Sequence, residues 1–308
     1  MADPFNRNPV AVYDQTEEIS GTGGIRVRRL TCDNASPMTF TGTQSYLVGS
    51  GQLAVIDPGP LREAHLDRLL AALEPGEEIA KIFVTHTHID HSPGACWLAG
   101  QTGAPVLAFG THGAGMSAVM RGLPDLGGGE GGDRSFVPAQ TLGHGEVVDG
   151  ADWSLTALHT PGHLSNHLAF ALGDTGVVFT GDTVMGWATT LVSPPEGDMA
   201  AFMSSLELLS DRNDHLYLPG HGHPVTDPLG MVAHQIGHRQ NRAVQILEAL
   251  EAGEADASEL AARIYTDVDP ALLPAAARNV LSTLIWKVSE GSVAAEGEIN
   301  AASRFSRI

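Results

Sequence analysis

Cysteine is nearly missing from this 308-residue chain, which has only Cys32 and Cys96. Two are too few for a disulfide framework and are wrongly placed for a thiolate zinc cage, so neither redox chemistry nor Cys-based metal binding is expected. Both read as small buried hydrophobes. Basic residues are scarce too: Lys and Arg total 17 against 36 Asp and Glu, a formal net charge of −19. That balance disfavours long-range attraction of RNA or DNA. No apolar run approaches the roughly 18–20 residues that cross a bilayer, and the N-terminus has no basic start followed by an apolar stretch. No membrane segment is expected, and the cytoplasm is the expected location. The remainder is ordinary, with 43% hydrophobic and 17% charged residues, enough to bury a core.

The first 24 residues are polar and aperiodic and read as an N-terminal extension crossing the surface. Strands are then expected over 25–30, 44–48 and 53–56, with a Gly-Ser-Gly turn at 49–51 joining the last two. A helix over 61–73 and a strand over 81–85 continue the pattern as α/β alternation. Between Phe109 and Pro138 the chain is so long and glycine-rich that it reads as a mobile flap or insertion. Strands resume at 147–148, 154–159, 168–171 and 176–180, and a helix follows over 199–209.

After Pro228 the character changes to helix. Val232, Ile236, Ala243, Ile246, Leu247 and Leu250 form one apolar stripe. Asp256, with Glu259 three residues on, is a capping-box signal for a second helix. A third runs from Asp269-Pro270 to Gly291, and short strands over 293–298 and 304–308 close the chain. Three helices and a hairpin follow the order of a winged helix. A catalytic domain over 25–228 and a small winged-helix-like domain over 229–308 are expected.

The chemistry is concentrated in four segments. His86-Thr87-His88-Ile89-Asp90-His91 directly follows an apolar strand, and three imidazoles with a carboxylate in six residues suit a cation such as zinc, iron or manganese. His159-Thr160-Pro161-Gly162-His163, Gly181-Asp182 and Pro219-Gly220-His221-Gly222 each place His or Asp just past a further strand end. Loops leaving one edge of a sheet can gather such residues into one pocket.

Taken in order, THTHIDH, HTPGH, GD and PGHG resemble the metallo-β-lactamase superfamily over about residues 25–227. The resemblance implies an α/β fold, the four-layer αβ/βα sandwich, with two divalent ions, zinc before iron or manganese, at one edge. It implies His86, His88 and His163 as ligands of one ion, Asp90, His91 and His221 as ligands of the other, and Asp182 as the bridge. Asp57 matches the superfamily's early acidic position, where a carboxylate orients a ligand imidazole. Two such ions share and activate a water, which makes hydrolysis the expected reaction, with Asp90 orienting that water or handling its proton. No cysteine is available as a ligand, which disfavours antibiotic hydrolysis.

Other titratable residues carry weaker signals. His65, His112, His144, His215, His234 and His238 read as exposed or hydrogen-bonded residues of the surface, and His159 as structural. His167 and His223, beside the ligand motifs, are candidates for substrate contact or ligand support. Arg239 and Arg242, within the HRQNR run of the long helix, are similar to the lactamase-β-like group that includes endoribonucleases. They face either the active-site mouth, to hold a phosphate or carboxylate, or solvent.

The function expected is a dinuclear metal-dependent hydrolase of an ester, thioester or lactone. A phosphodiesterase or endoribonuclease is the alternative, because both share one metal site. A di-iron redox protein would need a flavin-binding partner domain, and none is found. A binding module without turnover is disfavoured by the complete ligand set. A small-molecule substrate is the expected partner, with nucleic acid disfavoured by charge. The C-terminal domain has few basic residues and many acidic ones, which favours an interaction role or a homodimer contact.

Overall fold

The computed structural model describes residues 13, 15–124, 126–127, 131–267 and 269–308. Strands that bury both faces need a layer on each side, and the first sheet is built so. It contains β1 (Thr16–Glu18), β2 (Val27–Thr31), β3 (Gln44–Val48), β4 (Gln52–Ile56), β5 (Glu78–Phe83), β6 (Val106–Ala108) and β7 (Gln140–Thr141), paired in that order. The first four run antiparallel and β4 to β7 run parallel. Parallel pairing needs crossovers. These are α1 (Glu63–Ala71), α2 (Pro93–Thr102) and a connection holding the short α3 (Ala118–Arg121).

The second sheet contains β8 (Val147–Asp149), β9 (Ser154–His159), β10 (Leu168–Leu172), β11 (Val177–Gly181) and β12 (Leu216–Pro219). Their order is β12-β11-β10-β9-β8, and only β11 and β12 are parallel, joined across α4 (Met199–Ser210).

Side-chain alternation sorts the apolar residues into layers. Tyr46, Val48, Ile56 and Phe83 face Leu155, Phe170, Phe179 and Leu218 between the sheets. Edge-on ring contacts lock this layer, Phe83 on Phe170 at 5.2 Å and Tyr46 on Phe179 at 5.1 Å. Leu47, Val55 and Ile82 point the other way, under Leu66 and Leu69 of α1 and Leu98 of α2. On the far side Ala169, Ala171 and Val178 lie under Phe202, Leu206 and Leu209 of α4. Each fully buried side chain of this size contributes about 1.5–3 kcal/mol. The four layers match the expected αβ/βα sandwich.

The C-terminal part consists of α5 (Pro228–Leu250), α6 (Ala257–Ile264), α7 (Leu273–Ser289) and the antiparallel pair β13 (Val293–Ala295) and β14 (Phe305–Arg307). Asp256 and Glu259 form the expected capping box of α6. Leu250, Leu260, Val280, Leu281, Leu284 and Phe305 give this part its own core. Among the described residues, no helix is long and apolar enough to cross a membrane.

Several expectations are corrected. Residues 16–18, expected in a surface extension, form an edge strand paired with β2. Residues 1–12 and 14 of that extension lie outside the described residues. The strands at 106–108 and 140–141 were not expected, since two or three residues carry no measurable period. The glycine-rich segment, expected as a mobile flap or insertion, is held against the fold by described residues on either side. Met120 and Leu126 pack into the C-terminal core, while Gly131 O accepts from Ile89 N at 2.9 Å and Asp133 N donates to Thr87 O at 2.7 Å. Residues 125 and 128–130 of that segment lie outside the described residues. Cys32 is buried as expected, but Cys96 is exposed on the outer side of α2.

Candidate metal centre and active site

Strands β4, β5, β9, β11 and β12 end at one edge of the sandwich, and the loops leaving them carry the polar cluster. His86, His88, Asp90 and His91 follow β5, His163 lies between β9 and β10, Asp182 follows β11, and His221 follows β12. A β-bulge between Phe179 and Gly181 turns the chain as it leaves β11. These seven residues, scattered over 136 positions of sequence, converge. Three triads each bring a donor atom from every member within 4.8 Å of the others: His86, His88 and His163; Asp90, His91 and His221; and His86, His91 and Asp182.

Within the cluster, His88 Nδ1 is 2.9 Å from both His86 Nε2 and His163 Nε2. His221 Nε2 lies 3.2 Å from His91 Nε2 and from Asp90 Oδ2, and 3.3 Å from Asp182 Oδ2. Asp182 reaches both sides, its other contacts being His163 Nε2 at 3.7 Å and His91 Nε2 at 3.6 Å. Its buried Oδ1 has no hydrogen-bond partner. A buried carboxylate oxygen without a donor is costly unless a cation meets it.

The far nitrogens of four imidazoles fix which nitrogen faces inward. Thr85 Oγ1 donates to Asp57 Oδ2 at 2.7 Å, so it must accept from His86 Nδ1 at 2.9 Å. His91 Nδ1 donates to Asp57 Oδ2 at 2.8 Å, His163 Nδ1 to Leu191 O at 2.7 Å and His221 Nδ1 to Gly42 O at 3.3 Å. With Nδ1 bearing the proton, each Nε2 offers a lone pair to the cluster. This is the form in which neutral imidazole binds a divalent ion, and the donor set fits two of them.

Asp57 is the hub of this support. It sits at a positive φ of 48°, beside the end of β4, and also accepts from Thr85 N at 2.7 Å. Ser45 Oγ donates to Asp57 O at 2.6 Å and accepts from His65 Nε2 at 2.8 Å, while Arg68 donates to His65 Nδ1 at 2.9 Å. His65 is thus fully buried, not on the surface as expected, and burial followed by the Arg68 charge pushes its pKa down to about 4.

Protonation in the cluster follows its charges. Burial, followed by the His163 charge, pushes His88 down to about 3, and burial with neighbouring imidazoles pushes His86 well down. Burial opposes protonation of His91, yet the carboxylates of Asp90, Asp182 and Asp57 lift it to about 9. His221 is raised by the same kind of contest. In the metal-free protein at pH 7 these two rings therefore carry protons that a cation must displace. Metal uptake is expected to release protons at pH 7, and affinity should climb as pH rises toward 9. The raised pKa of His91 also contributes metal-free stability below about 6.5 that is lost by about pH 9. Calorimetric titration of the metal in two buffers of different ionisation enthalpy measures the release; a buffer-independent heat at pH 7 would refute it.

Above the cluster opens a cavity of about 380 Å³ lined by Met38, Ile89, Met185 and Leu191, by Thr39, Ser193 and Glu196, and by His88, Asp90, His163, Asp182 and His221. Among the described residues, no Lys or Arg lines it. Its apolar and Glu196 walls went unnoticed in the sequence, because no local motif marks them.

The remaining candidates lie elsewhere. His167 accepts from Asp182 N through Nε2 at 3.0 Å and contacts Thr160 Oγ1 through Nδ1 at 2.9 Å, so it braces Asp182 beneath the cavity. His223 is exposed and edge-on to Phe40 at 6.1 Å, away from the cavity lining. Arg239 is buried, donating to Thr190 O and stacking on Phe202 at 5.3 Å. Arg242 packs over the Tyr265 ring at 4.1 Å and donates to Gln245. Neither arginine is at the mouth: the helix stripe buries one, and α6 receives the other. His159, expected to be structural, stacks on Phe109 at 4.0 Å and contacts Ser165 O at 2.9 Å.

Comparison with known proteins shows the family. Residues 38–221 match the metallo-beta-lactamase superfamily, and residues 257–301 match the beta-lactamase associated winged helix domain. The chain is 31% identical to the lactamase-like protein adaB of Aspergillus niger, over 92% of this chain and 86% of that protein. It is also 31% identical to an atrochrysone carboxyl ACP thioesterase of Passalora fulva, over 78% of this chain and 68% of that one. A beta-lactamase domain protein from Burkholderia ambifaria has the same fold at 21% identity, with a TM-score of 0.78 over 99% of this chain and 96% of that one. The chain belongs to the metallo-β-lactamase superfamily, as a hydrolase that carries the associated winged-helix domain at its C-terminal end.

Proposed function

We propose that the protein is a dinuclear metal-dependent hydrolase of acyl thioesters. The observation that carries this reading is the cavity: an apolar-walled space over the His86, His88, His163 and the Asp90, His91, His221 triads, with no Lys or Arg in its lining among the described residues. Met38, Ile89, Met185 and Leu191 suit an acyl group, whereas a phosphodiester would meet the Glu196 and Asp90 carboxylates in a lining that holds no Arg or Lys among the described residues. The placement of Arg239 and Arg242 away from the mouth removes the main support for the phosphodiesterase alternative. The thioesterases among the relatives point the same way.

In this reading His86, His88 and His163 would hold one ion, Asp90, His91 and His221 would hold the other, and Asp182 would be available to both. Two divalent ions, zinc foremost, would supply Lewis acidity toward the thioester carbonyl and bring the pKa of a water toward neutrality. The chain's own residues orient the reaction. Asp90 is the ligand carboxylate most open to the cavity, with 21% of its side chain exposed against 8% for Asp182. The Asp90 carboxylate would accept the proton of the attacking water and return it to the departing thiolate, as the C–O bond forms and the C–S bond breaks. Asp57, through Thr85 and His91, keeps the imidazoles in register.

The test is an assay of the full chain, loaded with zinc, against a medium-chain acyl thioester, bis(p-nitrophenyl) phosphate and a short RNA. Thioester cleavage that a chelator abolishes and zinc restores is the expected result. Preferential cleavage of either phosphodiester would overturn the substrate class, and a protein that takes up no metal would overturn the centre itself.

A further inference from the structure

The C-terminal domain reaches into the metal centre through one loop. Residues 190–196 form a wall of the cavity, contributing Leu191, Ser193 and Glu196, and the same loop touches two of the ligands. Thr190 Oγ1 donates to Asp182 O at 2.7 Å, and Leu191 O accepts from His163 Nδ1 at 2.7 Å. The loop has no regular secondary structure of its own and is held from behind by helices of the other domain. Arg239 of α5 donates to Thr190 O, and also to Asn279 Oδ1 at 3.4 Å. Asn279 of α7 accepts from Val192 N at 2.9 Å. Arg278 donates from Nε to Ser193 Oγ at 2.8 Å, and to Pro194 O.

Burying Arg239 is expensive. Burial pushes its pKa down to about 10, and none of its described contacts is a carboxylate. A guanidinium in such a place is retained most simply for the geometry it imposes, because its planar fork fixes two acceptors at once. Truncating it would leave Thr190 O without this donor and Asn279 Oδ1 with Val192 N alone.

We infer that Arg239 and Asn279 are positioning residues of the metal centre: the winged-helix domain sets the orientation of His163 and Asp182 through the backbone of residues 190–192. The C-terminal domain is then a structural part of the active site. This inference rests on the reading of His163 and Asp182 as ligands. Residues supporting metal ligands at one remove change affinity by about 10–100-fold, and a shift of that size is expected here.

The test uses the full chain, stripped of metal and titrated with cobalt(II) well below the melting temperature of every variant. Visible absorption reports the coordination directly. Arg239→Met, which keeps most of the volume but no donor, and Asn279→Ala are each expected to weaken cobalt binding by about 10–100-fold and to alter the spectrum. Leu281→Ala is the control, since it hollows the C-terminal core without touching the loop. It should lower the melting temperature yet keep wild-type affinity and spectrum. If Arg239→Met does not fold, Asn279→Ala carries the comparison alone. Wild-type affinity and spectrum in a folded Arg239→Met or in Asn279→Ala overturns the inference, and so does an equal loss in Leu281→Ala. Failure of the wild type to bind cobalt at all overturns the metal reading and this inference with it, which separates the two failures.

Discussion

Asp182→Asn is expected to abolish turnover, with kcat lowered by roughly a thousandfold or more and metal content reduced. Asn matches Asp in size, so the substitution removes charge without opening space. The charge matters because Asp182 is the carboxylate that reaches both triads, lying 3.3 Å from His221, 3.6 Å from His91 and 3.7 Å from His163. Burial opposes its ionisation, but His221 and His91 hold its pKa well below the usual carboxylate range. A neutral amide there turns an acceptor into a donor aimed at a cation, which forfeits several kcal/mol at about 1.4 kcal/mol per factor of ten. Metal analysis and steady-state kinetics on the same preparation check this. Two ions per chain with kcat within tenfold of wild type would refute the shared role of Asp182.

Gly220→Ala is the second large effect, and it removes no donor. A Cβ at Gly220 would stand 2.4 Å from Asp182 Oδ1 and 2.7 Å from His91 Cε1, closer than real Cβ contacts come. The backbone cannot retreat, because Gly220 N donates to Gly181 O at 2.8 Å and Gly220 O accepts from Gln44 N at 2.8 Å, tying β12 to both sheets. The side chains must yield instead, displacing Asp182 and His91 together. Misplacement by about 1 Å costs on the order of a hundredfold in rate. The expected result is a loss of that size or greater, with the circular dichroism of the wild type retained and metal affinity reduced. Unchanged affinity in this variant would mean that the loop relaxes freely and that the close approach has no bearing on the centre.

The glycine's role illustrates what could be read early. PGHG stood out in the sequence as a turn carrying a histidine, yet the reason for Gly220, rather than another small residue, is a neighbour 38 positions away. Asp57 is similar. Its position after a strand was visible, whereas its hold on both His91 and Thr85 depends on β4 and β5 lying side by side. The strands over 44–48 and 154–159 were legible to the residue, the first as an apolar run closed by the Gly-Ser-Gly turn, the second by the alternation of Leu155 and Ala157 with polar neighbours. Those at 106–108 and 140–141 were not, since such short runs are stabilised by the sheet they join.

Arginine and histidine outside the motifs misled most. His65 read as a surface residue because a lone histidine on an amphipathic helix ordinarily is one. Ser45 and Arg68, which satisfy it in the core, lie on different elements. Arg239 shared a helical run with Arg242 and was read with it as facing the mouth or solvent, whereas Thr190 and Asn279, which receive it, lie on other elements.

The sequence by itself determined the donors: which imidazoles and carboxylates follow strand ends, and that they suit divalent cations, because ligand chemistry and strand period are local properties of the chain. Tertiary structure decided the rest. The proton-bearing nitrogen of each ring, the apolar walls of the cavity and the grip of the C-terminal helices on residues 190–193 depend on partners up to 179 positions apart. Such contacts are fixed by the packing of layers against one another, which no local pattern encodes.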